Sequence, residues 1–223
     1  MLLVAAVVLL AGSTAAAPEP DEKQCVQAAQ SLLVAGANPN LPGLTVCGGL
    51  FTQSPLHAAV SNNLVPMAEL LLEAGAVPDE GTRLLWGLHR QSPLARAVAN
   101  ERMVALLLKH GANPNIYVGG SHVLIAAIRI GNVNVVKHLL KRGVNPNQRE
   151  YSLAAMGSFS AIGVAADLGH TRIVDLLLAH GADPADGLTF IFGLATLPPS
   201  VLAQHAGHCE LASHLRVALL RQP

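Results

Sequence analysis

Residues 107–115 read LLKHGANPN, and variants of this nine-residue phrase occur at four other places in the chain. In each copy two leucines end an apolar-periodic stretch, and a glycine follows three residues after the second leucine. Glycine adopts a positive φ without steric cost, so it can end a helix, and the Pro-containing stretch after it favours an extended turn. Five helix ends are therefore predicted. They are LLVAGANPN at 32–40, LLEAGAVPD at 71–79, LLKHGANPN at 107–115, LLKRGVNPN at 139–147 and LLAHGADPA at 177–185.

A second helix start lies about twenty residues before four of these glycines. Two of the starts carry Ser followed by Pro, at Ser54-Pro55 and Ser92-Pro93. Serine is a preferred N-cap because its hydroxyl accepts a bond from a free helical N–H, and Pro is well tolerated at the first helical position. Each unit is therefore predicted to be a pair of helices. The four starts are SPLHAAV at 54–60, SPLARAV at 92–98, HVLIAAI at 122–128 and SAIGVAA at 160–166.

Together these features resemble the ankyrin-repeat family, whose unit of about 33 residues is a turn and two antiparallel helices with the signature T-P-L-H-x-A. SPLHAA at 54–59 matches that signature nearly letter for letter. The resemblance covers residues 24 to about 220 and implies an all-α ankyrin-repeat solenoid of stacked antiparallel helix pairs. We expect about five repeats after an N-terminal half-repeat at 24–40, with long connections that we call fingers.

The repeats also depart from the family pattern. Only His57 keeps the signature histidine, and the second repeat is about two residues short between its helices, near Asn100-Glu101. In the other repeats we expect apolar packing to replace the side-chain bonding of that histidine. The residues at its position are Ala95, Ile125, Gly163 and Val201.

The fingers carry all seven aromatic residues of the chain, and four of the five fingers are longer than a 33-residue unit allows. Aromatic side chains dominate interface hot spots. Members of the resembled family generally bind partners through the fingers and the inner helices. We therefore predict partner binding for Trp86, Tyr117 and Tyr151. The fingers span roughly 37–53, 76–91, 112–121, 144–159 and 182–197.

An alternative role for the rings is to form a small core within or beneath the fingers. TFIFGL at 189–194 alternates as a strand would, so two of its phenylalanines could share one buried face. We favour this packing role over a binding role for the remaining aromatic residues. They are Phe51, Phe159, Phe190 and Phe192.

Three charged residues on the inner helices, Arg96, Arg129 and Asp167, point outward and are further candidates for partner binding, although a solvated helix face is the plainer interpretation. The chain is neutral overall, with 14 Lys and Arg against 14 Asp and Glu. A nucleic-acid binder usually shows a basic excess, and binding to an anionic membrane surface needs a polybasic cluster; the sequence has neither. The expected partner is therefore another protein, bound by a chain that is a monomer on its own.

Motifs of catalysis and metal binding are missing from the sequence. It holds no G-x-S-x-G, no Gly-rich phosphate loop and no H-E-x-x-H, so an enzyme is not expected. Possible metal ligands crowd near the C-terminus, but His205 and Cys209 straddle a predicted turn between helices. A closed zinc site needs four converging ligands, so no metal and no other cofactor is expected. The crowded residues are His205, His208, Cys209 and His214.

The N-terminal segment has the layout of an export signal. An unbroken apolar run from Leu2 to Ala11 is followed by small residues and then by the polar stretch 18–23. The run is too short to span a bilayer, which takes about 20 residues, although no Lys or Arg precedes it as a signal usually requires. We predict a signal at 1–17, a linker at 18–23 and a repeat domain at 24–223, with a buried or frayed helix as the alternative for the first segment.

Three cysteines are placed unequally along the chain. Cys25 lies at the start of the half-repeat and Cys47 in the first finger, so in an exported protein these two are expected to form a disulfide. Cys209 lies in the last repeat. Helix layers are on the order of 10 Å apart, so Cys209 is too far along the chain of repeats to reach either one.

These features favour an exported, non-catalytic binding module in a bacterial envelope, most simply the periplasm. High Ala and few Lys (4, against 10 Arg) suggest a GC-rich bacterial genome. Exported ankyrin proteins of this type resemble inhibitors, immunity proteins or scaffolds of envelope proteins. The alternatives are a secreted effector that binds a host protein and a purely structural element.

One measurement tests both the signal and the disulfide. Protein recovered from cell fractions is denatured, alkylated without reduction and weighed intact. We expect a mass that lacks roughly the first 15–17 residues and carries one alkylated thiol, because a bridge over a loop of this size stabilises the fold by up to about 3 kcal/mol. A full-length cytosolic species would contradict export, and three alkylated thiols would contradict the bridge.

Overall fold

The structure is a computed structural model that describes residues 22–41, 43–44, 51–80, 83–84, 92–118, 121–152, 157–190 and 196–221. In that part of the chain lie eleven helices and nine short strands. The chain divides into two compact units, Met1–Asn113 and Pro114–Pro223. Each unit is described by itself.

The first unit has an outer layer of three helices and an inner layer of two. Consecutive outer helices pack on one another, and so do the two inner helices. The helices are α1 (Glu22–Val34), α2 (Pro55–Ser61), α3 (Val65–Glu73), α4 (Pro93–Arg96) and α5 (Glu101–Lys109), with α2 and α4 on the inner side. The strands are β1 (Gly43–Leu44), β2 (Phe51–Gln53) and β3 (Arg83–Leu84).

The second unit holds three helix pairs, in which inner helices α6, α8 and α10 pack side by side. Its helices are α6 (Val123–Ile130), α7 (Val133–Lys141), α8 (Ala161–Asp167), α9 (Thr171–Ala179), α10 (Pro199–His205) and α11 (Cys209–Leu220). Its strands are β4 (Tyr117–Val118), β5 (Ser121–His122), β6 (Arg149–Ser152), β7 (Gly157–Ser160), β8 (Leu188–Phe190) and β9 (Thr196–Leu197).

The predicted N-caps of the inner helices are confirmed. Ser54 accepts a hydrogen bond from the backbone N–H of His57, and Ser92 accepts one from that of Ala95. In both helices Pro occupies the first turn, where a missing N–H costs nothing. Ser160 caps α8 in the same way. The start of each of these helices is therefore fixed by residues within four positions of it.

The glycine of the repeated phrase follows the end of each of the five outer helices that carry the phrase, as the sequence predicts. Gly75, for example, has φ of 87° after α3. The N–H of the next residue, Ala76, then bonds the carbonyl of Leu71, the first leucine of the phrase. The same residue pair closes the other four copies, and that leucine is fully buried in α3, α5, α7 and α9. Burying one leucine stabilises the fold by about 2 kcal/mol. The phrase therefore both ends the helix and places a leucine in the core.

Two polar positions later in the phrase have separate tasks. In the fourth copy the Asn145 side chain accepts a bond from the N–H of Asn147, which folds the turn after the glycine. Asn147 then spans to the next repeat: its amide nitrogen donates to the carbonyl of Gly181 at 3.2 Å, and its amide oxygen accepts from Asp183 N–H at 2.9 Å. We call this two-bond link the asparagine clamp.

The first unit contains one complete clamp and one junction at which the side chain only accepts a hydrogen bond. Asn40 donates to the carbonyl of Gly75 and accepts from Val77 N–H. At the next junction Asp79 stands in the same position and accepts from the N–H of Asn113. A carboxylate has no hydrogen to donate, so the carbonyl of Gly111 receives no bond from this side chain.

The all-α prediction is wrong in one respect, because the fingers contain strands. In the first unit β1, β2 and β3 pair in that order, and in the second β4 pairs with β5 while β6, β7, β8 and β9 form a four-stranded antiparallel sheet. The long connections carry many backbone N–H and C=O groups, and strand pairing satisfies them where the chain is not helical. Periodicity in the sequence favoured helices because each strand is only two to four residues long.

The longest described helix, α1, has 13 residues, and nowhere in the described ranges does a helix have the length and apolar character to span a bilayer. Cys25 lies buried in α1, whereas Cys47 falls outside the described residues. The bond between them stays a prediction. Cys209 is exposed at the start of α11.

Exchanging Asn and Asp at the clamp should change stability in opposite directions. Asn147→Asp removes the donor to the Gly181 carbonyl, and we expect a loss of about 1 kcal/mol in the free energy of unfolding. Asp79→Asn supplies the missing donor to Gly111 and should stabilise by about 0.5 kcal/mol. Urea melts of the two variants beside wild type measure both effects. If both variants lost the same stability, the clamp would not be the relevant interaction.

Candidate partner-binding surface

The four-stranded sheet of the second unit is built from two successive fingers. Strands β6 and β7 form a hairpin with Tyr151 opposite Ser158, and β7 pairs with β8 of the next finger, where Ser158 lies opposite Thr189. Strand β9 then pairs with β8, with Thr189 opposite Thr196. Residues directly opposite each other on antiparallel strands share a face, so these four residues form one polar row across the sheet.

The other face of the sheet is mostly apolar. Glu150, Phe159, Leu188 and Leu197 lie opposite one another in turn and form a row across all four strands. Leu188 is buried, and Phe159 and Leu197 are half-buried. The two rows alternate along each strand, as the two-residue period of a strand requires.

Arg149 locks three strands together on the polar face. Its guanidinium donates to the hydroxyl and the carbonyl of Ser158 on β7 and to the hydroxyl of Thr189 on β8. It also forms an ion pair with Asp186, just before β8. Because Ser158 and Thr189 come from different repeats, one side chain fixes the two fingers relative to each other. This role cannot be read from local sequence, because the hydrogen-bond partners of Arg149 lie 9 to 40 residues away along the chain.

Arg129, a predicted partner-binding residue, is already engaged within the chain. Both its Nε and one terminal nitrogen donate to the same carboxylate oxygen of Glu150 at 3.2 Å. This ion pair joins inner helix α6 to the apolar face of the sheet, so that face is turned toward the inner helices. The Arg129 side chain remains 51% exposed, which leaves it accessible to a partner as well.

The exposed ends of the inner helices form a second part of the surface. Arg129 and Asp167 occupy the same position two residues before the turn glycines of successive repeats, and Asp167 is exposed. The residues beside them, Ile130 and Leu168, are 53% and 40% exposed. Helices pack 8–10 Å apart, so these pairs form a strip of alternating charge beside an apolar strip. The two apolar residues were not predicted, because exposure of one helix end depends on the neighbouring repeats.

The aromatic candidates fall into three groups. Tyr151 is 72% exposed on the polar face of the sheet. Phe159 and Phe190 are half-buried on the apolar face, in line with the packing role favoured for them. Tyr117 and Phe51 lie in β4 and β2, and nothing is described of their side chains; Trp86 and Phe192 lie outside the described residues.

Arg96, the remaining predicted residue, is exposed at the end of α4 in the first unit. It lines a pocket of about 520 Å³ at the turns between inner and outer helices, which we call the turn pocket. Its polar lining residues are Ser61, Asn63, Arg96, Asn100 and Glu101, and its floor includes Met103.

His57, the signature histidine, is a buried packing residue and does not line the turn pocket. It is 2% exposed, and its Nδ1 lies 3.4 Å from the hydroxyl of Ser61. Its Nε2 has no hydrogen-bond partner among the described residues. Burial and, as the smaller cause, the nearby charge of Arg96 together lower the pKa of His57 from 6.5 to about 4. The side chain is therefore neutral near pH 7.

Two family models match the chain. One, described as ankyrin repeats in three copies, matches residues 15–118 and 84–150; the other, described as an ankyrin repeat, matches residues 159–187. The first model alone covers more than half of the sequence. The chain belongs to the ankyrin-repeat family. Ankyrin repeats generally mediate protein–protein interaction and are typically non-catalytic.

Similar proteins agree with this assignment. The chain is 35% identical over 138 residues to the human "Ankyrin repeat and MYND domain-containing protein 1", a match that covers 58% of this chain and 14% of that protein. The crystal structure of the human ASB11 ankyrin repeat domain superposes with a TM-score of 0.63 at 23% identity, over 87% of this chain and 80% of that one. The second match shows that the ankyrin fold is shared.

Metal ligands do not converge in the described part of this ankyrin protein, where no three His, Cys, Asp or Glu side chains come together as a metal site would need. The C-terminal residues singled out in the sequence are separated by the ankyrin turn, since α10 ends at His205 and α11 begins at Cys209. His214 lies 3.5 Å from Asp175 of α9 instead.

Stability of the ankyrin fold should fall in acid because of His57. Its pKa is about 4 in the folded chain and about 6.5 when unfolded, so the unfolded state binds the extra proton between these values. The contribution of neutral His57 to the free energy of unfolding is fully present above pH 6.5 and is lost as the pH falls toward 4. The total loss is about 3 kcal/mol. Urea melts from pH 7.5 to 4.5 should show a shallower decline for His57→Gln than for wild type. Parallel curves would contradict the assignment.

Proposed function

We propose that this chain is a non-catalytic ankyrin protein that binds another protein through the finger sheet and inner-helix ends of its second unit. It acts after export, in a bacterial periplasm, as an inhibitor, immunity protein or scaffold of its partner. The observation that carries the proposal is Tyr151, which stands 72% exposed on a sheet that Arg149 holds in place.

A large exposed ring on a fixed support suits an interface. A tyrosine has few rotatable bonds and a large contact area, so little conformational entropy is lost when a partner covers it. Arg149 reduces that cost further because it cross-links the strands that carry and flank the ring. The hydroxyl row beside Tyr151, made of Ser158, Thr189 and Thr196, supplies hydrogen-bonding groups for the polar rim of such an interface.

The inner-helix ends extend the proposed interface. Ile130 and Leu168 offer exposed apolar area, and Arg129 and Asp167 offer charges of opposite sign beside it. Alternating charges favour a partner with the complementary order and exclude one with like charges opposite them, which gives specificity more than affinity. Trp86 and Tyr117 are proposed to contribute from the other fingers.

Export rests on the N-terminal sequence, where the apolar run from Leu2 to Ala11 precedes small residues and a polar stretch. A periplasmic location also suits the disulfide proposed for Cys25 and Cys47. The second candidate function is a secreted effector that uses the same surface on a host protein. Identifying what is captured, and from which compartment, separates the two.

Removing the ring should weaken binding without weakening the fold. Tagged wild type and Tyr151→Ala are used to capture proteins from envelope fractions, and the captured protein is then titrated against both. We expect Kd to rise at least tenfold, about 1.4 kcal/mol or more, while the free energy of unfolding changes by less than about 0.5 kcal/mol. Arg172→Ala, on an exposed position of outer helix α9, serves as the matched control and should bind like wild type. Equal affinity of Tyr151→Ala and wild type would place the interface elsewhere.

A further inference from the structure

The turn pocket exists because one repeat is shorter than the others. Helix α4 has four residues, whereas α2, α8 and α10 have seven and α6 has eight. The turn after α2 passes through Asn63, with φ of 59°, and the turns after α6, α8 and α10 pass through glycines of positive φ. Residues 97–100, which form the turn after α4, include no residue with a positive φ. The turn after α4 is therefore cut short and leaves open space against the turn before it.

The pocket lining is part polar and part apolar, and the two turns that frame it are held together. The amide of Asn100 donates to the side-chain oxygen of Asn63, so the two turns are tied together at the rim. Asn100 also caps α5 by accepting from the N–H of Met103, whose side chain is fully buried at the floor. These bonds hold the turn after α4 against the turn after α2 and so position the lining residues.

Arg96 is the one cation of this pocket lining. Its side chain is exposed, and within the described residues no hydrogen bond or ion pair engages its guanidinium. A guanidinium offers five N–H donors in a planar fork that matches a carboxylate with two parallel bonds. The hydroxyl of Ser61 and the amide of Asn63 line the same space and can complete the contacts of an anionic group.

We propose that the turn pocket binds the carboxylate of an acidic side chain presented by a protein partner, with Arg96 as the anchoring residue. The proposal rests on the protein-binding function proposed above and assigns a second contact, in the first unit. The pocket opens to solvent at the rim, so the acidic side chain can enter it from a segment that lies across the surface.

Glu101 restrains the strength of this contact. It lies in the first turn of α5, where the helix dipole stabilises a negative charge, and it shares the pocket rim with Arg96. Its charge repels an incoming carboxylate, so an acidic group is held only where it reaches Arg96 directly. Removing the Glu101 charge should therefore tighten binding, whereas removing the Arg96 charge should abolish it.

His57 provides an internal reporter of occupancy. The charge of Arg96 contributes to lowering the pKa of His57, and Ser61 contacts both the pocket and the histidine ring. A carboxylate seated on Arg96 offsets that positive charge and should raise the pKa of His57. A structural role of Arg96 alone would not make this pKa depend on an added anion.

The test uses the purified full chain and two capped peptides, Ac-Ala-Ala-Glu-Ala-Ala-NH2 and the same peptide with Gln in place of Glu. Binding is followed by NMR through the amides of residues 97–101 and through the His57 ring signals across pH. We expect the Glu peptide to bind about three- to fivefold more tightly than the Gln peptide, as for an ion pair at an exposed arginine. Glu101→Gln should bind the Glu peptide about threefold more tightly.

Arg96→Gln should lose the preference for Glu and the peptide-dependent shift of His57. Arg102→Gln removes the same charge from an exposed position of α5 outside the pocket lining, and it should behave like wild type. Equal binding of both peptides, or a preference that survives in Arg96→Gln, would overturn the proposal. This peptide experiment uses no cellular partner. A negative result here therefore does not affect the capture experiment with Tyr151→Ala, and a negative capture experiment does not affect the peptide result.

Discussion

The asparagine clamp is the interaction on which the pairing of the two fingers of the second unit depends. Asn147 bonds the next repeat at Gly181 and Asp183, and the chain enters strand β6 only two residues after Asn147. Three residues beyond Asp183 lies Asp186, which pairs with Arg149 of β6. The clamp therefore sets the spacing at which one finger meets the next. Side-chain bonds farther along the fingers can form only because their bases are already held at that spacing.

This constraint explains why the fingers of the second unit pair into one sheet. Strand β7 belongs to one finger and β8 to the next, and they pair over three residues with Gly157 opposite Phe190. A side chain at Gly157 would collide with the backbone oxygen of Thr189 at 2.5 Å, so close approach of the fingers needs a glycine there. The resulting sheet puts Phe159 and Leu188 on the face toward the inner helices and leaves Tyr151 on the other. A ring in a loose loop would lose more entropy on binding.

Regularity and irregularity serve different ends in this chain. The repeated phrase supplies helix stops, buried leucines and clamps, all of which stabilise neighbouring repeats in the manner of a one-dimensional array. The features that could recognise a partner lie where the pattern is broken. The fingers exceed the family length and carry the rings, and the shortened helix α4 opens the turn pocket beside Arg96. Departures from local rules are expected at functional sites, because the regular repeats supply the stability they lack.

The sequence by itself determined the local features: the caps at Ser54 and Ser92, the glycine turn after each copy of the repeated phrase, and the shortening near Asn100. Each depends on residues within about six positions, so pattern and turn chemistry suffice to place it. The tertiary structure alone decided which rings are exposed and which charges are paired. Tyr151 and Phe159 lie on paired strands of one finger, and the sheet register turns the first outward and the second toward the inner helices. Arg129 meets Glu150 across 21 positions and Arg149 meets Thr189 across 40, and such contacts exist only once the repeats have stacked.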